Sequence, residues 1–218
     1  VERLDHGARL PSYPPMDRLH VAACALNQTP LDWQGNLDRA RRAVDVARGR
    51  GAKLVLLPEL ALPGYGCEDA FHAAHIAHRS WDSLRALAAH SAGMVVGVGL
   101  PVLHRGALYN CAALLVDGKL AGIAAKQHLA GDGIHYEPRW FRPWPPRKSA
   151  TVSARGLPTV SGDDTVPMGE LVFDVGGYRL GFEICEDAWV ADRPGARLAA
   201  LAGGASRSPS AARFAGGE

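Results

Sequence analysis

The sequence predicts an α/β fold built on a mixed β-sheet, and three observations support this. Short apolar runs alternate with segments whose apolar residues recur at helical spacing. Asp117-Gly118 and Gly176-Gly177 each stand between two apolar runs, where a tight hairpin turn is expected. The chain has 218 residues, 47% of them hydrophobic, which is enough to bury one core without disulfide bonds. We therefore expect one globular domain whose sheet is antiparallel in part.

The individual elements follow from spacing and from the residues that end each run. Helices are predicted at residues 36–50, where Gly49 and Gly51 give stop signals, and at residues 80–90. Residues 127–167 are rich in Pro, Gly and Ser and have no sustained period, so we expect an irregular segment there that is either functional or disordered. Strands are predicted at residues 19–26, 53–57, 94–100, 108–116, 120–126, 171–175 and 179–184.

Charge and hydropathy exclude several classes of function. The formal net charge is +2, and no like-charge block is long enough to bind a nucleic-acid backbone. The longest apolar stretches are far shorter than the roughly 20 residues that span a bilayer. Residues 1–15 lack the apolar run of a signal peptide and are expected to be a disordered extension, with the domain occupying residues 16–218. We expect a soluble, cytoplasmic protein that binds neither nucleic acid nor membrane.

The cysteines form no CxxC pair, which argues against both a zinc site and a disulfide framework and favours a reducing compartment. Two of them, Cys24 and Cys111, lie in apolar strands and are expected to be buried thiols. His72, His75 and His78 follow one another at steps of three residues, but no acidic or cysteine partner is nearby, so a solvated helix surface is favoured over metal binding. No metal site is predicted.

Three strand ends carry reactive side chains of complementary chemistry. Glu59 follows LVLLP, Lys126 follows GIAA, and Cys185 follows RLGFEI. A carboxylate base and an ammonium group beside a thiol would support attack on a carbonyl carbon and stabilise the resulting oxyanion. His128, two residues after Lys126, leaves open a Cys–His thiol hydrolase dyad instead.

The segments around these residues resemble the nitrilase, or carbon-nitrogen hydrolase, superfamily, whose catalytic triad is Glu, Lys and Cys in that order. The matching segments are LPELALPGYG, AAKQHL and FEICEDAW, together with YEPRWF, which contains Glu137. The resemblance implies a nitrilase-type α-β-β-α sandwich. It also implies that Glu59 is the general base, Lys126 the oxyanion stabiliser and Cys185 the nucleophile, with Glu137 orienting the lysine.

Within this superfamily the chain is similar to the glutaminase domains of glutamine-dependent NAD synthetases over roughly residues 19–190. The similarity rests on CALNQTPLDWQGNLDRA, PGYGCED, GLPVLHRGALYNC, EPRWFRPW and TVPMGEL. It implies hydrolysis of the glutamine side-chain amide through a cysteine thioester, with Tyr65 and Glu186 lining the glutamine pocket. It further implies a homo-oligomer and a domain without a cofactor, whose ammonia passes to a synthetase domain that uses ATP and Mg²⁺ to amidate nicotinic acid adenine dinucleotide.

The sequence departs from this family pattern near its end. Ser208 replaces an Asn, and Ala212 stands where a glutamine-contacting Ser is expected. The chain ends at Glu218, so we expect a partial glutaminase domain, truncated at its C-terminus, with the synthetase domain absent. Two other functions stay open: a stand-alone carbon-nitrogen amidase acting on another small amide, and an inactive remnant.

Overall fold

The computed structural model describes residues 18–201 and 210–214. The predictions for residues 1–15 and for Ser208 lie outside these ranges, as does the side chain of Ala212. The helices are α1 (Trp33–Gly49), α2 (Ala74–His90), α3 (Glu137–Trp140) and α4 (Pro194–Leu201), and 3-10 segments occupy Tyr65–His72 and Cys185–Ala188. The strands are β1 (Val21–Ala23), β2 (Leu54–Leu56), β3 (Val95–His104), β4 (Ala107–Val116), β5 (Lys119–Ala125), β6 (Ser149–Ser153), β7 (Thr165–Gly169), β8 (Phe173–Val175), β9 (Tyr178–Ile184) and β10 (Ser210–Phe214).

The strands form two sheets, and the predicted mixed α/β class is confirmed. The larger sheet has the order β1-β2-β3-β4-β5-β7-β6, in which β1, β2 and β3 are parallel and β3, β4 and β5 are antiparallel. The smaller sheet has the order β10-β9-β8. Both predicted hairpins are present, and Asp117 and Gly118 have the positive φ values, 49° and 76°, that the expected tight turn requires.

The larger sheet is covered on both faces, which gives an α-β-β-α arrangement. Strand β4 shows the alternation: Ala113 and Leu115 pack in the core shared with α1 and α2, whereas Leu114 packs in the core shared with the smaller sheet. On the outer side of the smaller sheet, α4 lies so close to β9 that a Cβ on Gly181 would approach Leu198 to 2.9 Å. Two buried faces explain why β4 is apolar almost throughout.

Both predicted helices exist, with different starting points. Helix α1 begins after Asp32, whose carboxylate accepts the N–H of Gly35 and caps the first turn. Helix α2 begins six residues before the predicted start, and its first turn carries the exposed His75 and His78 on either side of the buried residues Ile76 and Ala77. The three histidines are all exposed, as the solvated-surface interpretation expects.

The prediction of an irregular segment at residues 127–167 was wrong in part. The segment contains α3, β6 and the start of β7. Helix α3 has only four residues and therefore no detectable period, and β6 pairs only with β7 and buries only Val152 of its five residues. Helix α4 was also not predicted. No helix in the described part of the chain is long and apolar enough to cross a membrane.

Gly99 in β3 lies where the sheet meets the loop that carries Glu59. A Cβ at this position would overlap the backbone nitrogen of Leu60 and lie 2.6 Å from the Pro58 carbonyl oxygen. The loop is held there by short backbone contacts, such as the bond from the Leu62 N–H to the Gly99 carbonyl at 3.2 Å. The absence of a side chain at residue 99 therefore allows the loop to pack directly on the strand.

Replacing Gly99 with Ala should lower the free energy of unfolding by about 1–3 kcal/mol, because the loop must move to accommodate the methyl group. Gly49→Ala is the matched control: a Cβ there meets nothing within 4 Å, and in the last turn of α1 it should be neutral or stabilise by up to about 1 kcal/mol. Urea unfolding measures the free energy of unfolding of both variants. Equal stability of the two variants would contradict the close approach.

Candidate active site

The sequence-predicted acidic and basic residues meet in one buried cluster. Glu59 lies three residues after β2, Lys126 directly follows β5, and Glu137 begins α3. The Lys126 Nζ donates to Glu59 Oε1 at 2.7 Å and to the two Glu137 oxygens at 2.9 and 2.7 Å. All three side chains are at most 1% exposed. One ammonium therefore bridges two carboxylates out of contact with bulk water.

Asn110 belongs to this cluster and was not predicted. From β4, its Nδ2 donates to Glu59 Oε1 at 2.6 Å and to Glu137 Oε1 at 3.3 Å. Within the described residues, the second oxygen of Glu59, Oε2, is buried and has no hydrogen-bond partner. The carboxylate is thus fixed through one oxygen and leaves the other available. A polar residue inside the otherwise apolar run of β4 was the signal that could have identified Asn110.

Burial and charge set the protonation of the cluster. Burial raises the pKa of Glu59 from 4.5 to about 7, against the attraction of Lys126 and with the repulsion of Glu137. Burial alone would lower the pKa of Lys126, but the charges of Glu59 and Glu137 outweigh it and hold that pKa above its ordinary value. Lys126 thus stays charged near neutral pH, where Glu59 can either accept or release a proton.

Cys185 stands between β9 and the following 3-10 turn. It is half-buried and has a φ of 47°, in the left-handed region that residues with a side chain seldom adopt. The turn is joined to the end of β5 by the buried carboxylate of Asp187, which accepts backbone N–H groups from both elements. Asp187 is a second residue that sequence reasoning missed.

Tyr65 contacts the charged cluster. Its hydroxyl donates to Glu137 Oε1 at 3.0 Å and lies 3.3 Å from His135 Nδ1. Burial raises the pKa of Tyr65, and the charges of Glu137, Glu59 and Cys185 raise it further. Tyr65 therefore belongs to the hydrogen-bond network of the cluster. Glu186, also predicted at the site, is half-buried and directly follows Cys185.

Among the described residues, the Nε2 atom of His128 lacks the hydrogen bond that a thiol–imidazole dyad would use. Its backbone N–H donates to Asp187 at 2.8 Å, but its Nε2 is buried without a hydrogen-bond partner among the described residues. A catalytic imidazole is normally oriented by a third group. The carboxylates on Lys126 make the Glu–Lys arrangement the better-supported interpretation.

An ion pair at the surface joins the 3-10 segment that carries Tyr65 to α3, which carries Glu137. Arg139 donates to both oxygens of Asp69, at 2.6 and 2.7 Å, and the Trp140 indole N–H donates to Asp69 at 2.9 Å. These bonds hold the pKa of Asp69 below its ordinary value. Beneath them, Phe71 and Phe141 pack with ring centroids 4.9 Å apart. The 3-10 segment that carries Tyr65 and helix α3 are thereby fixed to each other.

No cluster of three or more His, Cys, Asp or Glu residues in the described part of the chain could hold a metal ion. The predicted thiols at Cys24 and Cys111 are half-buried and buried, respectively, and none of the four cysteines forms a disulfide. Burial raises the pKa of the Cys24, Cys67 and Cys111 thiols, that of Cys67 to about 11. These three thiols are therefore poorly reactive at neutral pH.

A family model and several curated proteins match most of this chain. A family model described as carbon-nitrogen hydrolase matches residues 20–200. The glutamine-dependent NAD(+) synthetase of Rattus norvegicus is 36% identical over 181 residues, which cover 81% of this chain and 25% of that protein. The Homo sapiens enzyme of the same name is 37% identical over 183 residues, covering 81% and 26%. This chain spans about a quarter of the length of the curated relatives it matches.

Solved structures show the same fold. A glutamine-dependent NAD(+) synthetase from Cytophaga hutchinsonii superimposes with a TM-score of 0.72 at 36% identity, covering 77% of this chain and 28% of that one. An amidase from Nesterenkonia sp. superimposes with a TM-score of 0.57 at 23% identity, covering 78% and 56%. The nitrilase-type α-β-β-α fold that the sequence predicts is thereby confirmed for the described residues.

Replacing Asn110 with Ala should raise the pKa of Glu59 by roughly one to two units, because the charged carboxylate loses a hydrogen bond worth about 1.5–3 kcal/mol. A ¹³C NMR titration of labelled glutamate carboxyl groups measures this directly. Asn36→Ala is the matched control: Asn36 is equally buried but bonds the backbone at Thr29 and Leu62, so its loss should lower stability and leave the Glu59 titration unchanged. An unchanged titration in Asn110→Ala would contradict the assigned hydrogen bond.

Proposed function

The chain belongs to the carbon-nitrogen hydrolase family, and from this premise we propose that it hydrolyses the side-chain amide of glutamine to glutamate and ammonia. The observation that carries the proposal is the buried Lys126 ammonium held by Glu59 and Glu137, with the Asp187 carboxylate joining the backbone beside Lys126 to the backbone beside Cys185. This constellation combines a proton acceptor, a fixed positive charge and a thiol, which together suit acyl transfer from an amide.

In the first half of the reaction, Glu59 takes the proton of the Cys185 thiol through its available Oε2 atom. The thiolate attacks the amide carbon, and the carbonyl oxygen becomes an oxyanion. The Lys126 ammonium and the backbone N–H of Glu186 stabilise that charge, an effect worth roughly 3–4 kcal/mol for one donor. Glu59 then gives its proton to the nitrogen, the C–N bond breaks, and ammonia leaves a glutamyl thioester on Cys185.

In the second half, water attacks the thioester while Glu59 accepts one of its protons. The C–S bond breaks, glutamate leaves, and the sulfur recovers a proton from Glu59, which restores the starting state. A base whose pKa lies near 7 suits both directions of transfer, because neither protonation state is strongly favoured at neutral pH. Glu137 keeps Lys126 in place throughout, and Tyr65 and Glu186 line the glutamine pocket.

We further propose that the ammonia serves ATP-dependent NAD synthesis from nicotinic acid adenine dinucleotide, since the relatives named above are glutamine-dependent NAD(+) synthetases. The acceptor reaction would take place in a synthetase domain, in cis or in trans, which would also bind ATP and Mg²⁺. We assign no cofactor to the glutaminase domain. A homo-oligomer in a reducing cytoplasm, where the Cys185 thiol stays reduced, completes the proposal.

Replacing Cys185 with Ala should lower ammonia release from glutamine at least ~10³-fold while cooperative unfolding is retained, because the covalent intermediate can no longer form. Cys24→Ala is the matched control: Cys24 is half-buried beside β1 and should affect stability alone. Ammonia is measured with a coupled dehydrogenase assay. Equal loss of activity in both variants, each shown to be folded, would refute the assignment of the nucleophile.

An electrophilic glutamine analogue should add to Cys185 alone, because this thiol has the base and the charge that activate it. Intact-mass spectrometry and peptide mapping locate the adduct, and excess glutamine should prevent it. Simple aliphatic amides, tested in place of glutamine, provide the comparison. If they block labelling and release ammonia as well as glutamine does, the domain is a general carbon-nitrogen amidase. Folded protein that takes no label would favour the inactive remnant.

A further inference from the structure

Asp187 connects the backbone beside Lys126 to the backbone beside Cys185. Its Oδ1 accepts the N–H groups of Gln127 and His128, at 3.1 and 2.8 Å, and these residues directly follow Lys126. Its Oδ2 accepts the N–H of Ile184 at 3.2 Å, and Ile184 directly precedes Cys185. The side chain is 1% exposed, so water does not compete for these bonds.

This connection is important because Lys126 and Cys185 follow strands of different sheets. Lys126 follows β5 in the larger sheet and Cys185 follows β9 in the smaller one. The two sheets meet through apolar side chains, among them Leu114, Phe173 and Phe182. Apolar contacts are non-directional and tolerate small shifts of one sheet over the other. Hydrogen bonds near 3 Å from one carboxylate are directional and restrict such shifts.

A buried carboxylate is costly unless hydrogen bonds compensate for the lost water. Three backbone N–H donors do so here, and burial still raises the pKa of Asp187 to about 6. An apolar residue in the same place would avoid this cost. It would also leave three buried N–H groups without acceptors and would not join the two strand ends.

We propose that Asp187 is a positioning residue that sets the distance and orientation of the Cys185 thiol relative to the Lys126 ammonium. This role rests on the proposed thioester chemistry, and Asp187 itself touches neither substrate nor reacting atoms. Asparagine cannot replace it, because only one of its two terminal atoms accepts hydrogen bonds. The amide group of Asn would face a backbone N–H on the β5 side or on the β9 side, and one connection would be lost.

Asp187→Asn in the full 218-residue chain tests the proposal. Two quantities are measured: the rate constants for iodoacetamide alkylation of each cysteine, by peptide mapping, and kcat and KM for glutamine hydrolysis. Alkylation of Cys185 should slow at least ten-fold, because its thiolate is no longer held beside the ammonium, while alkylation of Cys24, Cys67 and Cys111 stays unchanged. The value of kcat should fall ten- to hundred-fold with KM within about two-fold.

Asp38→Asn is the matched control. Asp38 is a surface residue of α1 whose side chain is 46% exposed, and the same substitution there should change neither quantity. Unchanged Cys185 alkylation and kcat in Asp187→Asn would overturn the positioning role. Fast alkylation of the buried Cys67 and Cys111 in that variant would also overturn it, because Asp187 would then be needed for the fold itself.

The same data distinguish this proposal from the proposed function. If the parent chain releases no ammonia from glutamine but Cys185 alone is alkylated more slowly in Asp187→Asn, the positioning role stands and the substrate assignment fails. If the parent chain hydrolyses glutamine and Asp187→Asn matches it in both measurements, the function stands and the positioning role fails.

Discussion

The Lys126 ammonium, buried between two carboxylates, is the interaction on which the rest of the site depends. Removing three charged side chains from water costs several kcal/mol for each ion, and only short hydrogen bonds in good geometry offset that cost. The bonds at 2.7 to 2.9 Å to Glu59 and Glu137 do so, assisted by Asn110. Because one lost partner leaves a buried charge uncompensated, the cluster tolerates little rearrangement. Its members therefore lie on regular elements or on loops tightly packed against them.

The architecture meets this demand by delivering each group from a different element. Glu59 and Lys126 follow β2 and β5 of the larger sheet, and Asn110 lies within β4 of the same sheet. Glu137 begins α3. The Asp69–Arg139 pair then fixes α3 to the segment that carries Tyr65. An ion pair as exposed as this one adds little to stability, because solvent screens it. Its contribution is therefore mainly geometric: it fixes the width of the site more than it stabilises the fold. Cys185 directly follows β9 of the smaller sheet, so its thiol is carried by a separate layer.

Sequence patterns predict those parts of the structure that are set locally. Turn chemistry at Asp117-Gly118 and reactive residues directly after apolar strands identify the hairpin and the candidate residues Glu59, Lys126 and Cys185. Asn110 and Asp187 escape prediction because their importance arises from partners 51 and about 60 residues away in the chain. The pairing of distant strands creates those contacts, so the spacing of residues within one segment cannot predict them. The short helix α3 and the polar edge strand β6 are missed for a different reason, since too few of their residues are buried to produce a detectable hydrophobic period.

The backbone at Cys185 bears on how this protein would evolve. A residue with a side chain pays about 1–2 kcal/mol to adopt a φ of 47°, whereas glycine adopts it without strain. Glycine at position 185 would relax the turn and remove the thiol in a single step. Laboratory evolution that selects only for soluble yield or heat tolerance would therefore favour glycine at position 185, and with it the loss of the proposed nucleophile. A lineage no longer under selection for turnover would drift the same way, because the strained cysteine is an advantage only where its thiol is used.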